Sequence, residues 1–315
     1  TALVCKMRGI NSIGYDIMPI CNVSLEAKAA YAKYDLNELN RMLSEIELLE
    51  MPASYQKKTP YITITQEAYP EETDISDWHD RCNYSDLAKN LLTLCIINSL
   101  ERISFTSKSG QYLSWDSRSK KVQSVNAKRI AKGKEPLQDK RVRTEILSAK
   151  ETILSELVHV IGDIETMQCA SGEYGEAQID YTCSSVLYEI PKLPDNILKG
   201  VITSPPYCNR YDYTRTYALE LVYLGTSEDE IKKMRQDLIS CTVESKSKLE
   251  SLREFYNEIG QSDRFDQIYR TIQSNRAFSE VMHALYERKN HGDLNNTGVI
   301  RMVEGYFIEL AFLYA

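Results

Sequence analysis

A short apolar run that ends in two adjacent prolines is the feature of this sequence that most restricts its fold. Residues 200–203 read GVIT, and SPPY follows at 204–207. Proline fixes φ at about −65° and lacks a backbone N–H, so a paired strand cannot continue through this point. A Pro-Asp-Asn turn signal at 194–196 precedes the run. The pattern predicts a turn, a buried strand over residues 200–203, and a rigid loop at its carboxyl end.

The order of the other predicted elements indicates an α/β protein. A helix is predicted over residues 1–8, ended by Gly9, and a strand follows at 11–17 with Asp16 near its end. Asp35 and Ser85 are placed to N-cap two apolar helices. The remaining predictions are loops at 51–73 and 105–121, a helix over 137–167, a strand at 179–187, and helices after Tyr213. This order is typical of a parallel sheet interrupted by a large, mainly helical insertion.

Composition excludes several classes of protein. Hydrophobic residues make up 43% of the 315 residues, which is enough for a sizeable core. No stretch of about 18 apolar residues occurs, so no membrane span is expected. The 8 cysteines form no Cys-x-x-Cys pair, which argues against a zinc site and fits thiols in a reducing compartment. We therefore expect a cytoplasmic protein that binds no metal and no membrane. No pattern indicates its oligomeric state.

Charge is distributed unevenly along the chain. The net charge is −7, yet the segment 102–150 holds 13 Lys and Arg against 4 Asp and Glu. A basic block on an acidic body predicts contact with a polyanion, although a solvated helical face would look the same. Part of this block combines aromatic side chains with cations, which suits DNA backbone and base contacts. The candidate residues there are Tyr112, Trp115, Arg118, Lys120 and Lys121. A surface hairpin over a helical subdomain is the alternative interpretation.

The Ser-Pro-Pro-Tyr loop suits methyl transfer to an exocyclic amine of a nucleobase. Such an amine is a poor nucleophile because its lone pair is delocalised into the ring. The Ser204 hydroxyl and the Pro205 carbonyl could each accept a hydrogen bond from one of its two N–H groups and let the nitrogen become pyramidal. Pro206 helps to hold that carbonyl rigidly, and Tyr207 offers a flat face for an extruded base. A rigid turn without chemistry remains the alternative.

Three segments resemble the amino-methylating DNA methyltransferases, which use S-adenosyl-L-methionine. TSPPY resembles their catalytic motif, and its serine resembles the N4-cytosine branch more than the N6-adenine branch. LPDNILKGVITSPPY and NRYDYTRTYALELVYLG are similar to the flanks of this motif in site-specific DNA modification methylases. TALVCKMRGINSIGYDIMP resembles the segment after their glycine-rich cofactor loop. That loop would lie before Thr1 and later strands beyond Ala315, so a fragment truncated at both ends is expected.

The resemblance implies the fold and the domain organisation. It implies an incomplete Rossmann-like class I methyltransferase sheet with a large, mainly helical insertion. Residues 1–20 would be part of the cofactor-binding core, and residues 21–175 would be the insertion and the candidate target-recognition region. Residues 176–315 would carry the catalytic part of the core and the helices that follow it.

The resemblance also implies the cofactor, the partner and their contacts. Asp16 would bind the ribose hydroxyls of S-adenosyl-L-methionine, because a carboxylate accepts two hydroxyl hydrogen bonds; a turn or cap role is the alternative. Thr203 is the second expected cofactor contact. DNA is the expected partner, within a restriction-modification system. Arg215, which lies among three tyrosines, could stack on bases and hold phosphate, or begin a helix that packs on the sheet.

Two other functions remain open on the sequence. An RNA base amino-methyltransferase could use a related motif, and a non-catalytic DNA-binding or scaffold piece would need none of this chemistry. A covalent route through Cys208 is not needed, because an amine attacks the methyl group directly.

Overall fold

The computed structural model describes residues 1–50, 76–109, 112–137, 145–170 and 177–315. These residues are mainly helical, with short strands. The strands are β1 Ser12–Asp16, β2 Thr106–Ser109, β3 Tyr112–Trp115 and β4 Ile179–Cys183. The helices are α1 Ala2–Met7, α2 Pro19–Ala29, α3 Leu36–Leu48, α4 Ser76–Arg81, α5 Asp86–Ser99, α6 Lys120–Ile130, α7 Ala149–Cys169, α8 Val186–Glu189, α9 Tyr213–Thr216, α10 Ala218–Tyr223, α11 Glu228–Asp237, α12 Leu249–Glu258, α13 Ser262–Gln273, α14 Arg276–Asn290 and α15 Gly298–Tyr314.

Two small sheets occur among the described residues. β1 pairs with β4, and β2 pairs with β3. The N–H of Ser12, at the start of β1, donates to the carbonyl of Gln178, just before β4, at 3.0 Å. At the other end the Cys183 thiol donates to the carbonyl of Ile17 at 3.7 Å. The first residue of β1 bonds to the chain at the start of β4, and the chain at the end of β1 bonds to the end of β4. The two strands therefore run parallel. β2 and β3 form an antiparallel hairpin.

One compact unit comprises Thr1–Gly14, Pro19–Tyr181 and Thr214–Ile231. Its core is formed mainly by α2, α3, α5 and α7, whose apolar side chains recur at helical spacing. In α3, for example, Leu39, Met42 and Ile46 lie on one face and are completely buried. The fully buried side chains around them include Leu91, Leu92, Ile153 and Leu157. Burial of this apolar surface is the main force that stabilises the unit.

The second compact unit comprises Tyr15–Met18, Thr182–Tyr213 and Lys232–Ala315. Its core is an aromatic cluster contributed by α12, α13 and α15. The Tyr256 ring lies 5.9 Å from the Phe265 ring and 5.5 Å from the Phe312 ring, in edge-to-face arrangements. Aromatic rings prefer this geometry because the positive edge of one meets the negative face of another. Contacts among a few large aromatic side chains therefore pack α12, α13 and α15 against one another.

Predictions that rest on local signals are confirmed. α1 ends two residues before Gly9, whose φ of +70° suits glycine. The Asp35 carboxylate accepts the N–H of Asn37 at 2.9 Å. The Ser85 hydroxyl accepts the N–H of Ala88 at 3.2 Å. Both side chains therefore N-cap the helices that follow them.

Three predictions are wrong. Residues 200–203 form no strand, and Val201 and Ile202 are 64% and 77% exposed. A strand needs a hydrogen-bonded neighbour, and neither sheet of the described residues includes this run. The helix predicted over residues 137–167 is helical from Ala149, where Ser148 caps it, whereas residues 145–148 are not helical and residues 138–144 lie outside the described residues. The loop predicted over 105–121 is the β2–β3 hairpin followed by the start of α6. The loop predicted over 51–73 lies outside the described residues, and the domain boundaries stay predictions.

Candidate active site

Asp16 lies where β1 ends, which is also where the parallel strand β4 ends. Its carboxylate Oδ1 accepts the backbone N–H of Met18 at 2.9 Å, so Asp16 shapes the turn that leads into α2. Partial desolvation and the charge of Asp16 raise the pKa of the nearby Cys183 thiol. A carboxylate has about four lone-pair positions, so the bond to Met18 leaves acceptor capacity. Ligands of open α/β sheets bind at the carboxyl ends of strands, and Asp16 is partly exposed there.

The Ser-Pro-Pro-Tyr loop is exposed in the same compact unit as Asp16. The Thr203 and Ser204 side chains are exposed, and both prolines are half-buried. The Tyr207 ring is 70% exposed, and its carbonyl accepts the N–H of Asn209 at 2.7 Å. An exposed aromatic ring beside an exposed hydroxyl on a stiff backbone is available to a flat polar ligand.

The chain directly after this loop is held firmly within the unit. The buried Cys241 thiol donates to the carbonyl of Tyr211 at 3.1 Å. The buried Asp212 carboxylate pairs with the Arg235 guanidinium at 2.7 Å. Tyr211 and Tyr213 bring their ring centroids within 4.7 Å of each other. These contacts fix the backbone four to six residues beyond Tyr207.

Cys208 is poorly suited to act as a nucleophile. It is half-buried, and burial raises the pKa of its thiol. Burial, followed by the nearby Asp212 carboxylate, raises the pKa of Cys241 to about 12. Because the pKa of each thiol is raised, both thiols are protonated at neutral pH. The thiolate is the reactive form of cysteine, so neither side chain is activated. Neither thiol is therefore a good candidate for nucleophilic chemistry in this loop.

The hairpin residues predicted to contact DNA lie in the other unit, and several have internal partners. The Arg118 guanidinium bonds both oxygens of the buried Asp116, at 2.8 and 2.6 Å. Lys121 places its Nζ 4.3 Å from the centre of the Trp115 ring, which packs against the core. Lys120 is exposed at the start of α6. Tyr112 lies in β3, Arg215 is half-buried in α9, and all these DNA contacts stay predictions.

An ion pair between a half-buried lysine and a buried carboxylate joins the hairpin to α10. Lys108 Nζ lies 2.5 Å from Glu220 Oε1 and 4.3 Å from the centre of the Tyr217 ring. Glu220 is 2% exposed, and its Oε2 lacks a hydrogen-bond partner among the described residues. The sequence reasoning missed this pair. A lone acid inside the apolar run ALELVY was the available signal, because a buried carboxylate needs a partner.

A second buried ionic network supports the unit that contains the loop. Glu309 Oε1 accepts from Lys248 Nζ at 2.9 Å and from the Ser240 hydroxyl at 2.6 Å. Glu309 Oε2 accepts the Ser240 N–H at 2.7 Å. All three residues are buried. The network thereby fixes the segment that carries Cys241, the residue bonded to Tyr211.

The described ranges offer neither a metal site nor a membrane-spanning helix. No group of three or more His, Cys, Asp or Glu side chains there is placed to hold a metal ion. Every helix in those ranges is too short or too polar to span a bilayer.

Comparison with curated proteins finds Type II methyltransferases. The chain is 43% identical over 321 residues to the Type II methyltransferase M.BsoBI of Geobacillus stearothermophilus, an alignment that covers 100% of the chain and 62% of that protein. It is 32% identical over 323 residues to the Type II methyltransferase M.AvaI of Nostoc sp. and of Anabaena variabilis, covering 98% of the chain and 60% of those proteins. The chain thus spans about three fifths of the length of these relatives. No protein-family model and no solved structure matches.

Proposed function

We propose that this chain is the catalytic part of a site-specific DNA methyltransferase that acts on an exocyclic amine, N4 of cytosine in preference to N6 of adenine. The observation that carries the proposal is the similarity of the whole chain to Type II methyltransferases. The exposed Ser-Pro-Pro-Tyr loop supports it by offering the acceptors that such a reaction needs. The modified site would belong to a restriction-modification system.

In this proposal Ser204 and Pro205 activate the amine. The Ser204 hydroxyl and the Pro205 carbonyl each accept a hydrogen bond from one amine N–H, and the nitrogen can then become pyramidal, so that its lone pair is less delocalised into the π system of the ring. Because two prolines stiffen the loop, its carbonyl needs no reorganisation as charge develops, which is the source of electrostatic preorganisation. The lone pair would attack the methyl carbon as the bond from that carbon to the sulfonium sulfur breaks and the thioether leaves with the bonding electrons. The nitrogen would then lose a proton to solvent.

Tyr207 has the role of a stacking platform. A base inside a duplex cannot reach these acceptors, so the nucleotide must be turned out of the helix. The Tyr207 ring is 70% exposed, and base–aromatic stacking would compensate part of the lost stacking within the duplex.

Asp16 fits the cofactor proposed for this reaction. S-adenosyl-L-methionine, when bound, supplies an electrophilic methyl group. Asp16 is partly exposed at the carboxyl end of a strand and retains acceptor capacity for ribose hydroxyls. The exposed Thr203 would contribute a second polar contact from the approach to the catalytic loop.

The test is methylation by the full-length protein with radiolabelled S-adenosyl-L-methionine. Duplex DNA and structured RNA of matched length are the two substrates, and mass spectrometry of the nucleosides identifies the product. N4-methylcytosine in DNA alone is expected. N6-methyladenine would correct the base, and label in RNA alone would favour the RNA enzyme. Failure to bind the cofactor would favour a non-catalytic DNA-binding or scaffold role.

A further inference from the structure

Arg210, three residues beyond Tyr207, has an unusual backbone conformation. Its φ is +70°, in the left-handed region. The other non-glycine residue with positive φ in the described ranges is Asn196, at +61°. Asparagine adopts this region readily because its short side chain bonds locally, whereas arginine has no such compensation. Arginine at this position therefore carries a conformational cost that glycine or asparagine would avoid.

Neighbouring contacts hold this conformation in place. On one side the Asn209 N–H donates to the Tyr207 carbonyl at 2.7 Å. On the other side Cys241 bonds the Tyr211 carbonyl and Arg235 pairs with Asp212. A strained residue persists only where its surroundings determine the backbone on both sides, and such residues concentrate at functional sites.

Arg210 differs from Arg118 and Arg235 in how its positive charge is paired. Its side chain is exposed, and in the described part of the chain no carboxylate is paired with it. Arg118 and Arg235, by contrast, are bound to the buried carboxylates of Asp116 and Asp212. A guanidinium whose charge is already paired with a buried carboxylate attracts a phosphate less strongly than an unpaired one. Arg210 is thus a cation next to the catalytic loop that remains available for an external anion.

We propose that Arg210 binds a backbone phosphate of the DNA beside the extruded base. This inference rests on the proposed function. Turning a nucleotide out of the duplex rotates it about its own backbone, so the adjacent phosphates must be held while the base is outside. The planar guanidinium fork matches phosphate geometry. The left-handed backbone at residue 210 fixes the direction in which the Arg210 side chain leaves this exposed loop.

The experiment compares variants of the full-length protein in binding to duplex DNA across a salt series. Arg210→Gly removes the cation and suits the backbone, so it should fold; Arg210→Asn serves the same purpose as a second variant. Each phosphate contact contributes a slope of about −0.9 in log K against log salt. Both variants should flatten the slope by about 0.9 and weaken DNA binding roughly tenfold. Arg210→Lys should keep most of the slope, and affinity for S-adenosyl-L-methionine should not change.

Arg276→Gln is the matched control, because Arg276 is an exposed arginine of the same compact unit that lies outside the loop and pairs with Glu280 at 3.2 Å. The salt slope of this variant should equal that of the wild type. A wild-type slope in Arg210→Gly, with DNA methylation intact, would overturn the assignment and leave the proposed function standing. A wild-type protein that neither binds nor methylates duplex DNA would overturn both.

Discussion

Residues 197–207 and residues 211–223 are separated by only three residues along the chain but differ in almost every physical property. The first segment has no regular structure, and Ile197, Val201, Ile202 and Tyr207 are each more than half exposed. The second contains α9 and α10, is largely buried, and includes the ion-paired carboxylates of Asp212 and Glu220. The difference teaches that the residues proposed to act on the substrate lie in the exposed segment 197–207, directly before the buried segment 211–223, and not within the buried one. Substitutions in the exposed segment should alter activity, and those in the buried segment should alter stability.

The largest effect should come from breaking the buried pair of the second segment. Lys108→Met leaves the Glu220 charge buried without its cation, which should lower the free energy of unfolding by about 3–5 kcal/mol. Chemical denaturation of the full-length protein measures this. Adding Glu220→Gln to the same variant should recover part of the loss.

The control for that experiment is Lys192→Met, since Lys192 pairs with Glu189 at a surface where its side chain is 49% exposed. A surface pair contributes about 0–1 kcal/mol. Equal losses for the two lysine variants would mean that the Lys108–Glu220 pair is not a buried interaction in solution.

Ser204→Ala in the exposed segment should have the next largest effect, on rate and not on stability. The hydroxyl matters most as the amine nitrogen becomes pyramidal, so kcat should fall by about 10²–10³ while DNA affinity changes little. Single-turnover methylation measures the rate, and denaturation should match the wild type. A rate within about threefold of the wild type would remove Ser204 from the reaction.

Asp16→Ala should weaken S-adenosyl-L-methionine binding by about 1.5–3 kcal/mol, the range for hydrogen bonds to a charged group. Calorimetry with the full-length protein measures the affinity. Asp16→Asn serves as the matched variant, because its amide oxygen can still accept the Met18 N–H. If Asp16→Ala binds the cofactor as tightly as the wild type, Asp16 serves only the turn after β1.

The smallest effect in this series should come from Tyr207. If the ring is a stacking platform, Tyr207→Phe should retain activity and Tyr207→Ala should lose about 1–3 kcal/mol of DNA binding. Both variants should unfold like the wild type, because the ring is 70% exposed. Equal damage from Phe and Ala would assign the role to the hydroxyl and refute stacking.

Local chemistry made part of this fold predictable from the sequence. Asp35 and Ser85 were found because a capping side chain acts within three residues of its own position. The strand over residues 200–203 was predicted wrongly because pairing depends on a distant neighbour that an apolar run does not specify. Glu220 and Glu309 were not foreseen as ion-paired, since their partners Lys108 and Lys248 lie 112 and 61 residues away. At the site, the loop and Asp16 were identified by residue type, whereas the strain at Arg210 is a backbone property that its side chain does not indicate.

The pairing of β1 with β4 has a consequence for how such a chain can diversify. A parallel pair needs a connection of only about a dozen residues, yet more than 160 residues separate the end of β1 from the start of β4. The polypeptide leaves and re-enters at adjacent strands, so the length of the intervening stretch does not by itself set the strand register. Loops within that stretch can therefore change in length over evolution, whereas its packed helices and the Lys108–Glu220 pair tie it to residues after β4 and must be conserved together with them.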